Sequence, residues 1–207
     1  MSEDTLSRLV QALRCLPGVG PKSAQRMAFH LLNNKRQKGL HLASCLDDAM
    51  RHINHCSQCN NYTDSNICSI CQNPSRNQHT LCIVEHPSDV SAIEQSSAYD
   101  GRYFVLMHKI SPLDGIGPED IGLMQIEKLV KECQISEVII ALSPSVEGQT
   151  TIHFIQEQLK SLPVKVSQLA HGIPSGGELE FLDSHTIGQA LKNRSDLLKQ
   201  LIREQHD

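Results

Sequence analysis

Four of the eight cysteines fall in one short stretch, as Cys56-Ser-Gln-Cys59 and Cys68-Ser-Ile-Cys71. Thiolates two residues apart can grip one ion from a tight turn, and two such turns complete a tetrahedral all-sulfur shell. The intervening Asn-Asn-Tyr-Thr-Asp-Ser-Asn-Ile is rich in turn formers and can loop back. The pattern predicts one structural Zn2+ per chain rather than an iron–sulfur cluster or a redox pair, which needs only one Cys-x-x-Cys. Four thiolates leave no open position for a reacting water, so a catalytic metal is not expected. His52 and His55 stand just ahead as alternative ligands, but four cysteines suffice. A segment this small and polar cannot bury enough surface to fold alone, so the ion serves as a clasp rather than a base reader.

A second constellation suits phosphate. Leu16-Pro17-Gly18-Val19-Gly20-Pro21-Lys22 joins two stretches whose apolar residues recur at helical spacing: Leu6, Leu9, Val10 and Leu13 before it, and Ala24, Met27, Ala28, Leu31 and Leu32 after it. Gly18 and Gly20 permit a tight hairpin, and Pro21 suits the first turn of the following helix. Free backbone amides and the positive end of that helix then face one anion, with Lys22 and Arg26 flanking it one turn apart. The segment resembles a helix–hairpin–helix, which grips the DNA backbone without reading bases. An ordinary helical hairpin is the plainer alternative. Lys35, Arg36 and Lys38 are expected in a solvated loop, with a secondary DNA contact as the alternative.

Carboxylates supply the third. Beyond Thr80 the apolar runs LCIV, RYFVLM, EVIIAL and VKVSQL alternate with helical stretches at 88–96, 118–133 and 148–159. That order predicts a mostly parallel sheet with helices on its faces. Glu85 ends the first strand, at the edge where sites on such sheets lie. The arrangement resembles a Toprim domain, in which a Glu and a later Asp-x-Asp hold magnesium. Here Ser143-Pro144-Ser145 follows the later strand, and both aspartates are missing. Glu85 and Glu147 could share an ion, but hydroxyls are poor partners for a hard dication, and Mg2+ stays an open question. Glu178, Glu180 and Asp183 form an acidic cluster that suits a partner or subunit contact, or plain solvent exposure. Ser184 is expected to cap a helix bearing Ile187, Ala190 and Leu191 and continuing through Leu197, Leu198 and Leu201.

Charge divides the same way. Residues 1–79 carry nine Lys/Arg against five Asp/Glu, and residues 80–207 ten against eighteen. A basic front suits a polyanion, and an acidic back suits a metal or a basic protein. Trp is absent, so base stacking is not the expected mode of contact. The start, MSEDTLSRLV, lacks a secretory pattern, and no apolar run is long enough to span a bilayer, so no membrane association is expected. Cys15, Cys45, Cys82 and Cys133 are expected to be buried, inert thiols.

In series, the hairpin, the four cysteines, the Toprim-like sheet and the terminal Ala170-His171-Gly172-Ile173-Pro174-Ser175-Gly176-Gly177-Glu178-Leu179-Glu180-Phe181 resemble the RecR family of bacterial recombination mediators over essentially the whole chain. Departures are Ser143 and Ser145, where other small polar residues are usual, and Phe181, where Tyr is common. The resemblance implies an α+β multi-domain chain. It would comprise a helix–hairpin–helix domain (1–54), a small four-cysteine zinc module (55–79), an α/β Toprim domain (80–172) and a C-terminal helical segment resembling a Walker B motif (173–207). It also implies a non-enzymatic DNA clamp, a dimer assembling into a tetrameric ring, in the cytoplasm at the nucleoid. Such clamps work with RecO, and in some pathways RecF, to load RecA onto single-stranded DNA coated by single-strand-binding protein. They engage single-stranded and duplex DNA without sequence preference. Lys22 and Arg26 would line the DNA side, and the edge with Glu147 would meet RecO. A Toprim-type nuclease, primase or topoisomerase is the alternative. In the clamp picture the zinc module is a rigid joint between basic and acidic domains.

Overall fold

The computed structural model describes residues 4–170, 173, 176 and 178–192. The expected turn residues Gly172 and Gly177, and the helical continuation through Leu197, Leu198 and Leu201, lie outside them. The chain forms two compact units, one reaching Asn54 and including Thr63–Ser65, the other holding His55–Tyr62 and everything from Asn66.

The first unit is helical. Asp4 caps α1 (Thr5–Leu13) by accepting from the Ser7 amide at 2.9 Å. Helix α2 (Pro21–Asn34) packs on α1 and on α3 (Arg36–His52). Ala24 and Ala28, one turn apart, are fully buried and let the helices approach closely. The basic cluster is not a loop. Lys35 joins the two helices, while Arg36 and Lys38 open α3. Gly39 does not break that helix, because its Cα side faces the Leu31 side chain and the helix packs there.

Next come β1 (Asn54–His55), β2 (Tyr62–Thr63) and the short α4 (Ser69–Gln72) around the cysteines. The main sheet of the second unit follows: β3 (Thr80–Val84), α5 (Pro87–Ser96), β4 (Arg102–Val105), α6 (Leu123–Glu132), β5 (Glu137–Ala141), α7 (Val146–Leu159) and β6 (Lys165–Gln168). Its strand order is β4-β3-β5-β6, and every pairing is parallel. Helices between the strands return the chain to the sheet, the pattern that covers both faces of a parallel sheet.

Side-chain alternation builds the two faces. Leu81, Ile83, Phe104, Val138 and Ile140 pack with Ile126, Val130, Ile152, Ile155 and Leu159 of α6 and α7. Cys82, Val84, Tyr103 and Val105 point the other way, onto Val90 of α5 and Ile70 of α4. The expected helix at 118–133 is shorter than its pattern. Gly122 takes a left-handed conformation ahead of Leu123, beside the Phe104 ring, and residues 118–122 are turns. Cys82 is buried and Cys133 half-buried, but Cys15 and Cys45 are exposed. Cys15 sits in the turn beyond α1, and Cys45 lies on an open face of α3.

The C-terminal residues form a 3-10 turn (Leu179–Phe181) and α8 (Ser184–Lys192). The helix is capped by Asp183, not by Ser184. The Asp183 carboxylate accepts from the Thr186 amide at 2.9 Å and the Thr186 hydroxyl at 2.6 Å. A carboxylate at this position also complements the helix dipole. Among the described residues, no helix is long and apolar enough to cross a membrane.

Candidate functional site

The four cysteines come together as their spacing predicts. Their Sγ atoms all lie within 4.8 Å of one another, and this is the one cluster of three or more metal-type ligands among the described residues. Tetrahedral Zn–S bonds of about 2.3 Å need sulfurs about 3.8 Å apart; Cys59 and Cys68 stand at 3.5 Å. The first knuckle closes because Asn60 adopts a left-handed φ of 62°. Its amide then reaches the Cys56 carbonyl at 3.0 Å, and the Cys56 amide reaches the Asn61 carbonyl at 2.8 Å. The second knuckle opens α4, with the Cys68 amide donating to Cys56 Sγ at 3.3 Å. His52 and His55 lie outside the cluster; His55 instead pairs with the Asn60 carbonyl at 3.1 Å.

Crowding splits the thiols' acidities. The hydrogen bond from Cys71 lowers Cys59 to about 6. Burial pushes Cys68 up to about 11, and the Cys59 contact together with burial raises Cys71 further. Four such sulfurs share one low-pKa position among themselves, whereas a dication at their centre would favour the thiolate form of all four. The donor set fits zinc.

Two features of this module were missed in the sequence. The Cys59 carbonyl accepts from the Val105 amide at 2.9 Å, and Asn60 Nδ2 donates to the Val105 carbonyl at 2.7 Å. The knuckle thus docks on strand β4 as part of the Toprim unit. Arg76 reinforces the connection. Its guanidinium forks onto Glu94 at 2.7 and 2.9 Å, donates to the Gly101 carbonyl at 2.8 Å and lies over the Tyr103 ring. An Asn directly after a Cys-x-x-Cys, a residue tolerant of left-handed backbone, was the available signal for the first; Arg76 offered none.

At the helical hairpin, Gly18 has φ +75°, and Gly20 leads directly into Pro21 at the start of α2. No side chain caps that helix, so its first amides remain open, and no acidic residue occupies its first turn. Lys22 and Arg26 are exposed and, among the described residues, have no ionic partner.

At the carboxyl edge of the sheet, Glu85 directly follows β3, as expected. Two nitrogens stand against its carboxylate. Its Oε2 lies 3.2 Å from Lys109 Nζ and its Oε1 3.3 Å from His86 Nε2. Lys109 Nζ also donates to Ser143 Oγ at 3.2 Å, and Ser145 Oγ caps α7 through the Gly148 amide at 3.1 Å. Glu147 is exposed in the first turn of α7. Glu178 and Glu180 are exposed, and Asp183 is engaged at the start of α8.

A helix–hairpin–helix, a four-cysteine zinc finger and a Toprim domain in one chain define a DNA-transaction protein of the bacterial recombination type. Comparison with known families agrees along the chain: RecR helix-hairpin-helix at residues 6–50, the RecR four-cysteine zinc finger domain at 53–73, Toprim at 79–170 and RecR C-terminal at 172–195. A "Recombination protein RecR" of Legionella pneumophila strain Philadelphia 1 is 68% identical over 94% of this chain and 98% of its own. That of strain Corby is 69% identical over 93% and 98%. The chain belongs to the RecR family.

Proposed function

We propose that this protein is a non-catalytic DNA-binding clamp and adaptor in recombinational DNA repair. It acts at the nucleoid with RecO, and with RecF where that pathway operates, to help load RecA onto single-stranded DNA coated by single-strand-binding protein. The observation that carries the DNA half of this reading is the hairpin: open amides at the α2 N-terminus, with Lys22 and Arg26 exposed one turn apart and without an ionic partner among the described residues. Such a site holds phosphate and ignores base identity.

The adaptor half rests on the Toprim edge. A two-metal phosphoryl-transfer site needs clustered carboxylates, and here one carboxylate is ion-paired and the Asp-x-Asp positions are serines. Self-association is supported by α3, where Leu42, Leu46 and Met50 repeat at helical spacing and are all exposed. Apolar residues aligned on one helix face suit burial against another protein surface. A ring of copies multiplies weak phosphate contacts through effective concentration. Zn2+ is the structural ion of each chain, held by Cys56, Cys59, Cys68 and Cys71.

The test is DNA affinity across a salt series for wild type and a Lys22→Ala/Arg26→Ala variant. Losing two phosphate contacts should weaken binding to every sequence and flatten the slope of log K against log salt by about 1.4 for single strands. An unchanged slope would remove Lys22 and Arg26 from the DNA interface.

A further inference from the structure

We infer that Lys109 is a built-in cation that takes over the electrostatic role of the divalent metal at this Toprim edge, so that the edge works without magnesium. The inference deepens the non-catalytic reading above but stands on separate geometry.

Glu85 and Lys109 are both largely withdrawn from water, their side chains 16% and 22% exposed. A carboxylate so placed must be paired, and the ammonium 3.2 Å away pairs it. Lys109 is not a wandering surface side chain. Its neighbour Ile110 is buried, and the Ile110 amide donates to Oγ1 of the fully buried Thr151 on α7 at 3.0 Å. Strand β4 is extended towards it, with the Met107 amide on the Glu85 carbonyl at 2.9 Å, before Met107 turns left-handed at φ 67°. The ammonium then spans the two segments that carry metal ligands in Toprim domains, meeting Glu85 after β3 and Ser143 after β5.

The donors do not fit magnesium. Mg2+ seeks hard oxygens in octahedral array at about 2.0–2.1 Å and sheds water reluctantly. It would find the Glu85 carboxylate already bridged by Lys109 and His86, and two hydroxyls, of which Ser145 is committed to capping α7. It would also have to displace a cation tethered at high effective concentration. The local backbone is fixed to this arrangement. A Cβ on Gly148 would lie 2.0 Å from the Ser143 carbonyl, so the α7 N-terminus closes tightly on the serine loop.

The test uses zinc-loaded full-length protein in four forms: wild type, Glu85→Gln, Lys109→Met and the double variant. Mn2+ binding is followed by water-proton relaxation, and melting is followed with and without MgCl2 at matched ionic strength. Wild type should bind no Mn2+ through Glu85 and melt at the same temperature in either buffer. Lys109→Met should melt several degrees lower, and either Mg2+ or the second substitution, Glu85→Gln, should recover part of that loss. Stoichiometric Mn2+ binding by wild type that disappears in Glu85→Gln overturns the inference. So does a Lys109→Met protein as stable as wild type, or one whose loss neither Mg2+ nor Glu85→Gln relieves. Glu85-dependent Mn2+ binding without DNA cleavage would leave the adaptor reading standing; Glu85-dependent cleavage would remove both.

Discussion

Arg76 offers the sharpest test of how the zinc module is joined to the sheet. It lies between α4 and β3, with its side chain 12% exposed, and it satisfies three groups at once. These are both oxygens of Glu94, on α5, and the carbonyl of Gly101, just before β4. Tyr103 OH adds a 2.6 Å bond to the same Glu94 carboxylate. Replacing Arg76 by Ala strands the carboxylate and the carbonyl together. Breaking a fully buried pair costs about 3–5 kcal/mol; because Glu94 is one-third exposed, water recovers part, leaving about 2–3 kcal/mol. In a unit of this size that lowers Tm by roughly 5–10 °C. Arg76→Lys keeps the charge but loses the planar fork, and should fall between. The assay is urea denaturation of wild type, Arg76→Ala, Glu94→Leu and the double variant. The double should be much less destabilised than the sum of the singles. Strict additivity, or a loss below about 1 kcal/mol for Arg76→Ala, would refute the argument.

The same pair sets a pH dependence. The Arg76 hydrogen bonds hold the Glu94 carboxyl below its ordinary value, with Tyr103 adding to the effect against burial. A depressed acid contributes stability above its unfolded pKa, about 4.3, and loses it as pH falls through the lower folded value. The stability gap between wild type and Arg76→Ala should therefore be full near neutrality and close below about pH 4. Arg76 itself is shifted upward by Glu94 and stays charged throughout. A gap that persists unchanged at about pH 3 would contradict the assignment.

Other expectations follow from the same contacts. Cys56→Ala or Cys71→Ala should lose zinc and melt at lower temperature, with DNA affinity falling only as a consequence; a zinc-free variant that melts like wild type would show that the clasp is dispensable. Zinc chelation should speed hydrogen exchange at the Val105 amide far more than at Ile139 in central strand β5, and equal acceleration would deny the docking. Leu46→Ser/Met50→Ser should lower solution mass without lowering helix content, and an unchanged mass would assign the α3 face to something other than self-association.

Much of this was legible because short-range chemistry dictated it. Cys-x-x-Cys spacing, Gly-Val-Gly-Pro punctuation and alternating β-branched runs each specify geometry within a few residues. What escaped depended on partners far apart in the chain. Arg76 and Glu94 are separated by eighteen positions and Lys109 and Ser143 by thirty-four, and nothing local marks them as neighbours. The missing Asp-x-Asp was visible, but its meaning was not. A Toprim edge lacking two carboxylates leaves Glu85 in need of a cation, and only the fold brings Lys109 to it. The loop expected at Lys35–Lys38 failed for the opposite reason. Charge suggested solvent, yet Arg and Lys are good helix formers and Gly39 had a packing partner in Leu31.

The docking of the zinc knuckle also explains how the sheet manages its open sides. An exposed edge strand presents unpaired amides and carbonyls to any passing strand. The β6 edge is short and half-exposed, and carries Lys165, which pairs with Glu137 at 2.9 Å on its neighbour β5. The β4 edge is deeply buried, and charge would be costly there. Instead the knuckle takes up both polar groups of Val105, using a Cys59 carbonyl and an Asn60 amide whose positions depend on the cysteine turn. A zinc ion holding that turn would therefore secure more than a small finger. It would fix the last paired residue of β4, two positions ahead of the Met107 turn that delivers Lys109 to Glu85. On that route the structural metal supports an edge that carries its own cation in place of the catalytic metal of Toprim enzymes.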